Sequence, residues 1–187
     1  MSKKNIISIT GGIATGKTEV TRILSSKLGM QIYSGSEGFR KLAKKNNMDL
    51  VTFNEYIKDK PGIDKSIDDA ICEFIKNNDK IIVDARLAWY FEKESFKIYI
   101  ESDITVAAKR LLEDKKNRTS EGKYMSIEEA KDAILSRQKY EIERYKREYG
   151  VDLLDFSNYD LVIDSSNIPL EEVAVRIVKK YLQWLER

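Results

Sequence analysis

The chain has 187 residues, and 33 Lys and Arg stand against 31 Asp and Glu, a formal net charge of +2. That length suits one domain, and so even a balance gives no reason to expect a nucleic-acid or membrane partner. Histidine is absent and Cys72 is the only cysteine, which excludes an intramolecular disulfide, His-dependent catalytic triads and thiolate or imidazole metal sites.

Ile6 to Ile9 is a β-branched run leading into a glycine pair, and it predicts a buried parallel strand. The run is too short for a signal peptide, and no stretch is long enough to span a bilayer, so a cytoplasmic protein is expected. Val20, Ile23, Leu24 and Leu28 follow at helical spacing, with Gly29 placed to cap the C-terminus. Gln31 to Tyr33 predicts a second strand. A basic helix over 37–46 and short helices over 50–57 and 66–76 come next. Lys80 to Asp84 and Phe96 to Ile100 predict the third and fourth strands, and Asp103 opens a helix through Val106, Arg110 and Leu111. Asp114 to Met125 is polar and contains Gly122, the pattern of a loop. Ser126-Ile127-Glu128-Glu129 is a capping box entering a charged helix to Tyr149. Tyr159 to Asp164 predicts a fifth strand. Pro169 lies near the start of a last helix with the apolar residues Val173, Val175, Ile177 and Leu182. Strands alternating with helices imply a three-layer α/β fold, with a central five-stranded parallel sheet covered by helices on both faces. Ligands on such sheets bind outside the carboxyl ends of the strands.

Gly11-Gly12-Ile13-Ala14-Thr15-Gly16-Lys17-Thr18 fits G-x-x-x-x-G-K-[ST], with a strand before it and an amphipathic helix after it. Glycines let the backbone curl so that its amides face phosphate oxygens, and the helix N-terminus adds its positive end. Lys17 can reach the β- and γ-phosphates, and the Thr18 hydroxyl can ligate magnesium, a hard ion that suits oxygen donors. The motif implies a nucleoside triphosphate such as ATP and leaves the phosphoryl acceptor open.

Further residues narrow the choice. Ser34-Gly35-Ser36-Glu37-Gly38-Phe39-Arg40-Lys41-Leu42-Ala43 follows the second strand, and Asp84-Ala85-Arg86-Leu87-Ala88 follows the third. Ile63-Asp64 and Ile67-Asp68 lie between them; Arg144-Tyr145-Lys146, Tyr149-Gly150-Val151-Asp152 and Tyr159 to Asp164 come later. With the phosphate loop, this ordered set resembles the P-loop nucleoside monophosphate kinases, and within them the short cytidylate kinases, over nearly the whole chain. The resemblance implies transfer of the γ-phosphoryl of magnesium-ATP to cytidine monophosphate or its deoxy form. It also implies a small helical acceptor region over 36–78, a short lid over 114–125, and a small-molecule nucleotide as the only partner of a monomer.

The resemblance makes Arg40 and Arg86 a clamp on the acceptor phosphate, and a planar guanidinium fork suits a phosphate dianion. Ser34, Ser36 and Glu37 join the acceptor pocket, and Arg110 and Arg118 become lid arginines over the phosphates. Arg137, Glu141 and Arg144, at i, i+4 and i+7, become contacts to cytidine monophosphate. Asp84, closing an apolar strand, becomes a magnesium ligand beside Thr18. The residues alone leave other readings open. Arg40 also reads as a solvated cation beside Lys41, Lys44 and Lys45, Arg118 as a loop charge, and Asp84 or Asp64 as a capping acid. Arg137, Glu141 and Arg144 also read as an exposed ion-pair face. Ala85, Glu37 and Glu141 stand where the family more often has Gly, Asp and Asp, and Gly11-Gly12-Ile13 also resembles dephospho-coenzyme A kinases. Another acceptor, or an ATP-sensing protein with little turnover, are the competing functions.

Overall fold

Alternate side chains of one apolar strand are buried on opposite faces, which builds the molecule around Ile6–Gly11 (β1). Ile7 and Ile9 pack into one apolar cluster and Ile6 into another, so helices must cover both sides. In this computed structural model, residues 5–48, 50–57, 60–113 and 124–187 are described. After β1 come α1 (Lys17–Leu28), β2 (Gln31–Ser34), α2 (Gly35–Lys45), α3 (Leu50–Ile57) and α4 (Pro61–Asn77). Then follow β3 (Ile81–Asp84), α5 (Ala88–Phe91), β4 (Phe96–Glu101), α6 (Ile104–Glu113) and α7 (Ile127–Tyr149). A 3-10 turn at Phe156–Asn158, β5 (Leu161–Asp164) and α8 (Leu170–Leu185) complete the order.

The five strands form one parallel sheet in the order β2-β3-β1-β4-β5. On one face, Val20 and Leu24 of α1 and Val173, Ala174, Ile177 and Tyr181 of α8 pack on Ile7, Ile9, Ile82 and Ile98. On the other, Ile71 and Ile75 of α4 and Ala88 of α5 pack on Ile6, Ile81 and Val83. Beyond the sheet, α6 and α7 join through Ala107, Leu111, Ala130 and Ile134. The three-layer five-stranded parallel fold expected above is the fold found.

Several local expectations need correction. In the last helix, Val175 and Leu182 are each 50% exposed. At about 100° per residue both stand on the side opposite Val173, and the buried stripe runs through Val173, Ala174, Ile177 and Tyr181. Of the three helices described between β2 and β3, α3 spans the expected 50–57, while α2 and α4 start earlier than expected. Ser34 caps α2, its hydroxyl accepting from Glu37 N at 3.3 Å. Pro61 opens α4 at a position where a missing N–H breaks no helical bond. Helix α5 and the turn at Phe156–Asn158 lay outside the expected elements.

Register puts the ends of the strands side by side. Ser34 pairs with Asp84, Asp84 with Ile9, Gly11 with Ile100, and Glu101 with Asp164. The carboxyl edge of the sheet therefore runs Ser34, Asp84, phosphate loop, Glu101, Asp164.

Candidate active site

The phosphate loop is held from below by the sheet. Gly12 N donates to Ile100 O at 3.1 Å, and a Cβ on Gly11 would come within 2.1 Å of that same carbonyl. No side chain fits at Gly11. Past this anchor the loop turns through Ala14 (φ 55°) and Gly16 (φ 86°), left-handed residues that curl the backbone into a nest for an anion. Gly16 ends the loop as the N-cap of α1, and no side chain accepts from the first turn of that helix. By contrast, Ser34 and Ser126 cap α2 and α7. An N-terminus left without a side-chain cap keeps its amides and dipole for a ligand.

Lys17 folds back over this nest. Its Nζ donates to Gly11 O at 2.9 Å and, more closely, to Gly12 O. Burial, and then the nearby Arg86, pull its ammonium down to about 7, while Asp84 and Glu141 oppose the change. Phosphate oxygens would supply the missing negative charge.

Arg86, directly past β3, faces the same loop. It donates Nη1 to Gly11 O and Nε to Glu141 Oε2 at 2.8 Å. Burial works against its charge, but the Glu141 carboxylate outweighs this and holds the guanidinium firmly protonated. The other oxygen of Glu141 takes Arg137 Nε at 3.1 Å. Burial alone would raise Glu141, yet Arg86 and Arg137 keep its carboxyl below the usual range. Arg144, one turn on, is buried with its guanidinium 5.1 Å from the Tyr145 ring centre. Burial pushes the Tyr145 hydroxyl up to about 12. Arg137, Glu141 and Arg144 are therefore not a solvated ion-pair face. Glu141 and Arg144 are buried or nearly so, and α7 turns Glu141 toward the phosphate loop.

Ser34, Ser36 and Arg40 form the opposite wall. The two hydroxyls are 3.1 Å apart, and Arg40 Nη2 donates to Ser36 Oγ at 3.0 Å. Asp84 lies between the walls. Burial raises its carboxyl, and Lys17, Arg86 and Arg40 pull it back down. Arg40 thus adds its charge to the field at Asp84, while its bond to Ser36 lies at the exposed side of the site. Glu37 points elsewhere, pairing with Lys41 at 3.0 Å on the exposed side of α2. Tyr149 of α7 donates to Asp68 of α4, so the helix bearing Arg144 is tied to the acceptor region.

Arg110, expected among the lid arginines, bonds here to the junction behind the phosphate loop. Its Nη1 and Nη2 reach Ser165 Oγ (3.1 Å) and Ser165 O (2.6 Å) at the β5–α8 junction. Ser165 is fully buried, and its Oγ is also 2.9 Å from the carbonyls of Thr15 and Glu101. This serine, which joins the phosphate loop to the last strand, is the site residue that sequence reasoning missed. Its one signal is position, directly past the acid that ends an apolar strand. Arg118 and the lid expected over 114–125 fall outside the described residues as far as 123.

The oxygen donors suit one kind of cation. Thr18 offers an exposed hydroxyl on the first turn of α1, and Asp84 a buried carboxylate at the end of β3. Among the described residues no group of three or more His, Cys, Asp or Glu could hold a metal by itself. A cation here would take few protein oxygens and fill its shell with phosphate and water, the habit of magnesium.

The cytidylate kinase-like family has a sequence model that matches residues 6–167. The chain belongs to this family. It is 37% identical over 170 residues to the cytidylate kinase of Sulfolobus acidocaldarius, covering 90% of this chain and 89% of that protein. It is 33% identical over 174 residues to the cytidylate kinase of Methanocella arvoryzae, covering 93% and 95%. Among solved structures, the shikimate kinase of Bacteroides thetaiotaomicron superposes with a TM-score of 0.66 at 11% identity, covering 96% of this chain and 98% of that one. At such identity the likeness speaks for the fold alone. This member of the family has no helix among the described residues long and apolar enough to cross a membrane.

Proposed function

We propose that this family member is a cytidylate kinase, moving the γ-phosphoryl group of ATP to the phosphate of cytidine monophosphate to give two diphosphates. One observation carries the reading: Lys17 and Arg86 both donate to Gly11 O, and Arg40 acts with them on the Asp84 carboxylate. A triphosphate binder needs the first cation. The second and third suit a site that must also hold a separate phosphate.

The loop amides and the uncapped start of α1 bind the β- and γ-phosphates, and Lys17 neutralises charge that builds as the phosphoryl group leaves. Arg40 and Arg86 grip the acceptor phosphate and aim one of its oxygens at the γ-phosphorus. That oxygen forms the new P–O bond as the bond to the β-phosphate's bridging oxygen breaks, and ADP carries off the electron pair. No general base is required, because the second pKa of a phosphate monoester is about 6 and the acceptor is already a dianion at neutral pH. Magnesium, held by Thr18 and Asp84, would screen the β- and γ-phosphate charge. Arg144, on the stretch of α7 tied to α4, would donate to the carbonyl oxygen or ring nitrogen of cytosine. We place the reaction in the cytoplasm, in one domain with its acceptor region over 36–78.

The test is product analysis. The protein, magnesium-ATP and each of four nucleoside monophosphates or dephospho-coenzyme A are incubated, and products are separated by chromatography. Cytidine diphosphate and ADP in equal amounts, formed faster than any other product pair, are expected. Faster phosphorylation of any other acceptor would replace the cytidine assignment.

A further inference from the structure

Glu141 is the carboxylate that α7 brings to the phosphate loop, and its two oxygens go to two different guanidiniums. Oε2 takes Arg86 Nε at 2.8 Å and Oε1 takes Arg137 Nε at 3.1 Å. The side chains of Glu141 and Arg86 are only 16% and 18% exposed. Arg86 in turn donates to Gly11 O, which also accepts from Lys17. A continuous chain of bonds therefore runs from α7 through Arg86 to the loop carbonyl under Lys17.

We propose that Glu141 is a positioning residue for phosphoryl transfer: it holds Arg86 and Arg137 as a preformed pair at the phosphate loop. This role goes beyond the contact with cytidine monophosphate that the family resemblance implies for this position. The geometry supports it in two ways. First, both bonds are made through Nε, which stops each guanidinium from swinging about its last torsions. In Arg86 the two bonds use Nε and Nη1, and neither uses Nη2, which can meet a phosphoryl oxygen. Second, Lys17, Arg86 and Arg137 all act on this small, partly dry volume, where like charges repel far more than in water. A carboxylate between two of them offsets that repulsion before any nucleotide arrives.

The proposal rests on the phosphotransferase reading, and the test keeps the two apart. Steady-state rates are measured with cytidine monophosphate and its 2′-deoxy form for the wild type, Glu141→Gln, Glu141→Asp, Arg86→Ala and the Glu141→Gln/Arg86→Ala double variant. A wild type that turns over neither acceptor refutes the phosphotransferase reading by itself. If it does turn over, Glu141→Gln should lower kcat/KM by about tenfold or more, equally for both sugars, because misplaced catalytic groups cost rate. The KM for ATP should change much less. Within the Arg86→Ala background the same substitution should add little, because the two residues act as one unit. Glu141→Asp, keeping the charge on a shorter stem, should regain part of the rate; it also carries the sugar comparison if Glu141→Gln does not fold. A loss confined to the ribonucleotide, a full further loss on top of Arg86→Ala, or an unchanged rate with only a lower melting temperature would each overturn the proposal.

Discussion

The phosphate loop and the acceptor wall sit a few residues apart across the sheet edge, yet they are built in different ways. The loop is locked by backbone. Ile100 O leaves no room for a Cβ at Gly11 and takes Gly12 N, while Ser165 ties Thr15 O to the last strand. The wall proposed for the acceptor is made of side chains at the end of β2 and on helices outside the sheet: Arg40 on Ser36, Ser36 on Ser34, Tyr149 on Asp68. A triphosphate is the same in every substrate pair, so a rigid backbone cradle suits it. An acceptor differs in base and sugar, and side chains on separate helices are what can tell acceptors apart.

The largest expected effect strikes the rigid half. Lys17→Ala should lower kcat by about a hundredfold or more with every acceptor, because charge on the migrating phosphoryl group goes uncompensated. The fold should survive, since Lys17 Nζ bonds only to loop carbonyls that water can reach once the side chain is gone. Far-ultraviolet circular dichroism together with kcat checks both parts. Substantial turnover in the variant would break the assignment of the loop.

Arg144→Ala should act on the other half alone. It should leave kcat/KM for adenosine monophosphate little changed and lower that for cytidine monophosphate roughly tenfold to a hundredfold, since an unmet buried polar group costs about 1–3 kcal/mol. An equal fall for both bases would make Arg144 a packing residue of α7 and not a reader of the base.

Binding of ATP should depend on pH in a way that acceptor binding does not. In the free protein, burial and Arg86 bring the Lys17 ammonium down to about 7. Bound phosphate favours the charged form, so binding above that pH must take up a proton, and ATP affinity should fall with rising pH by up to about tenfold per unit. For the same reason the free protein gains stability as pH rises above about 7. The unfolded chain, with an ordinary lysine, holds there a proton that the folded state has lost. Calorimetry in two buffers of different ionisation enthalpy reads the uptake directly, and Lys17→Ala should abolish it. Absence of proton uptake at alkaline pH in the wild type would contradict the picture of the buried ammonium.

Ser165→Ala should have the smallest effect. It removes one hydroxyl that serves Thr15 O and Arg110, worth about 0.5–1.5 kcal/mol, so the KM for ATP should rise only a few-fold. The KM for the acceptor should stay as it was. A larger change in the acceptor constant would mean that the β5–α8 junction reaches across the site.

The two halves were also unequally legible in the sequence. The phosphate loop is a local object: eight consecutive residues between a strand and a helix determine its curl, and the strand pattern locates the sheet edge beneath it. The acid at the end of an apolar run, Asp84, was legible for the same reason. The Arg137–Glu141 pair follows from its i, i+4 spacing, but the bond from Arg86 to Glu141 could not be read, because 55 residues separate them. Ser165 meets Thr15 across 150 residues and has no local signature. The error at Val175 and Leu182 was of another kind. Apolar identity was taken for burial, while the angular spacing along α8 put both on the outer side. Local backbone chemistry can be read from a string of residues, whereas partners brought together by the sheet cannot.

Separate calorimetric titrations of ATP and cytidine monophosphate into the wild type and Arg40→Ala test the division of labour most directly. Arg40 donates within the acceptor wall, to Ser36, and has no bond to the loop. Its loss removes a charged hydrogen bond worth about 1.5–3 kcal/mol, so affinity for cytidine monophosphate should fall at least about tenfold, with ATP affinity nearly unchanged. Weakened ATP binding with cytidine monophosphate affinity retained would contradict it, and would give both phosphate clamps to the same ligand.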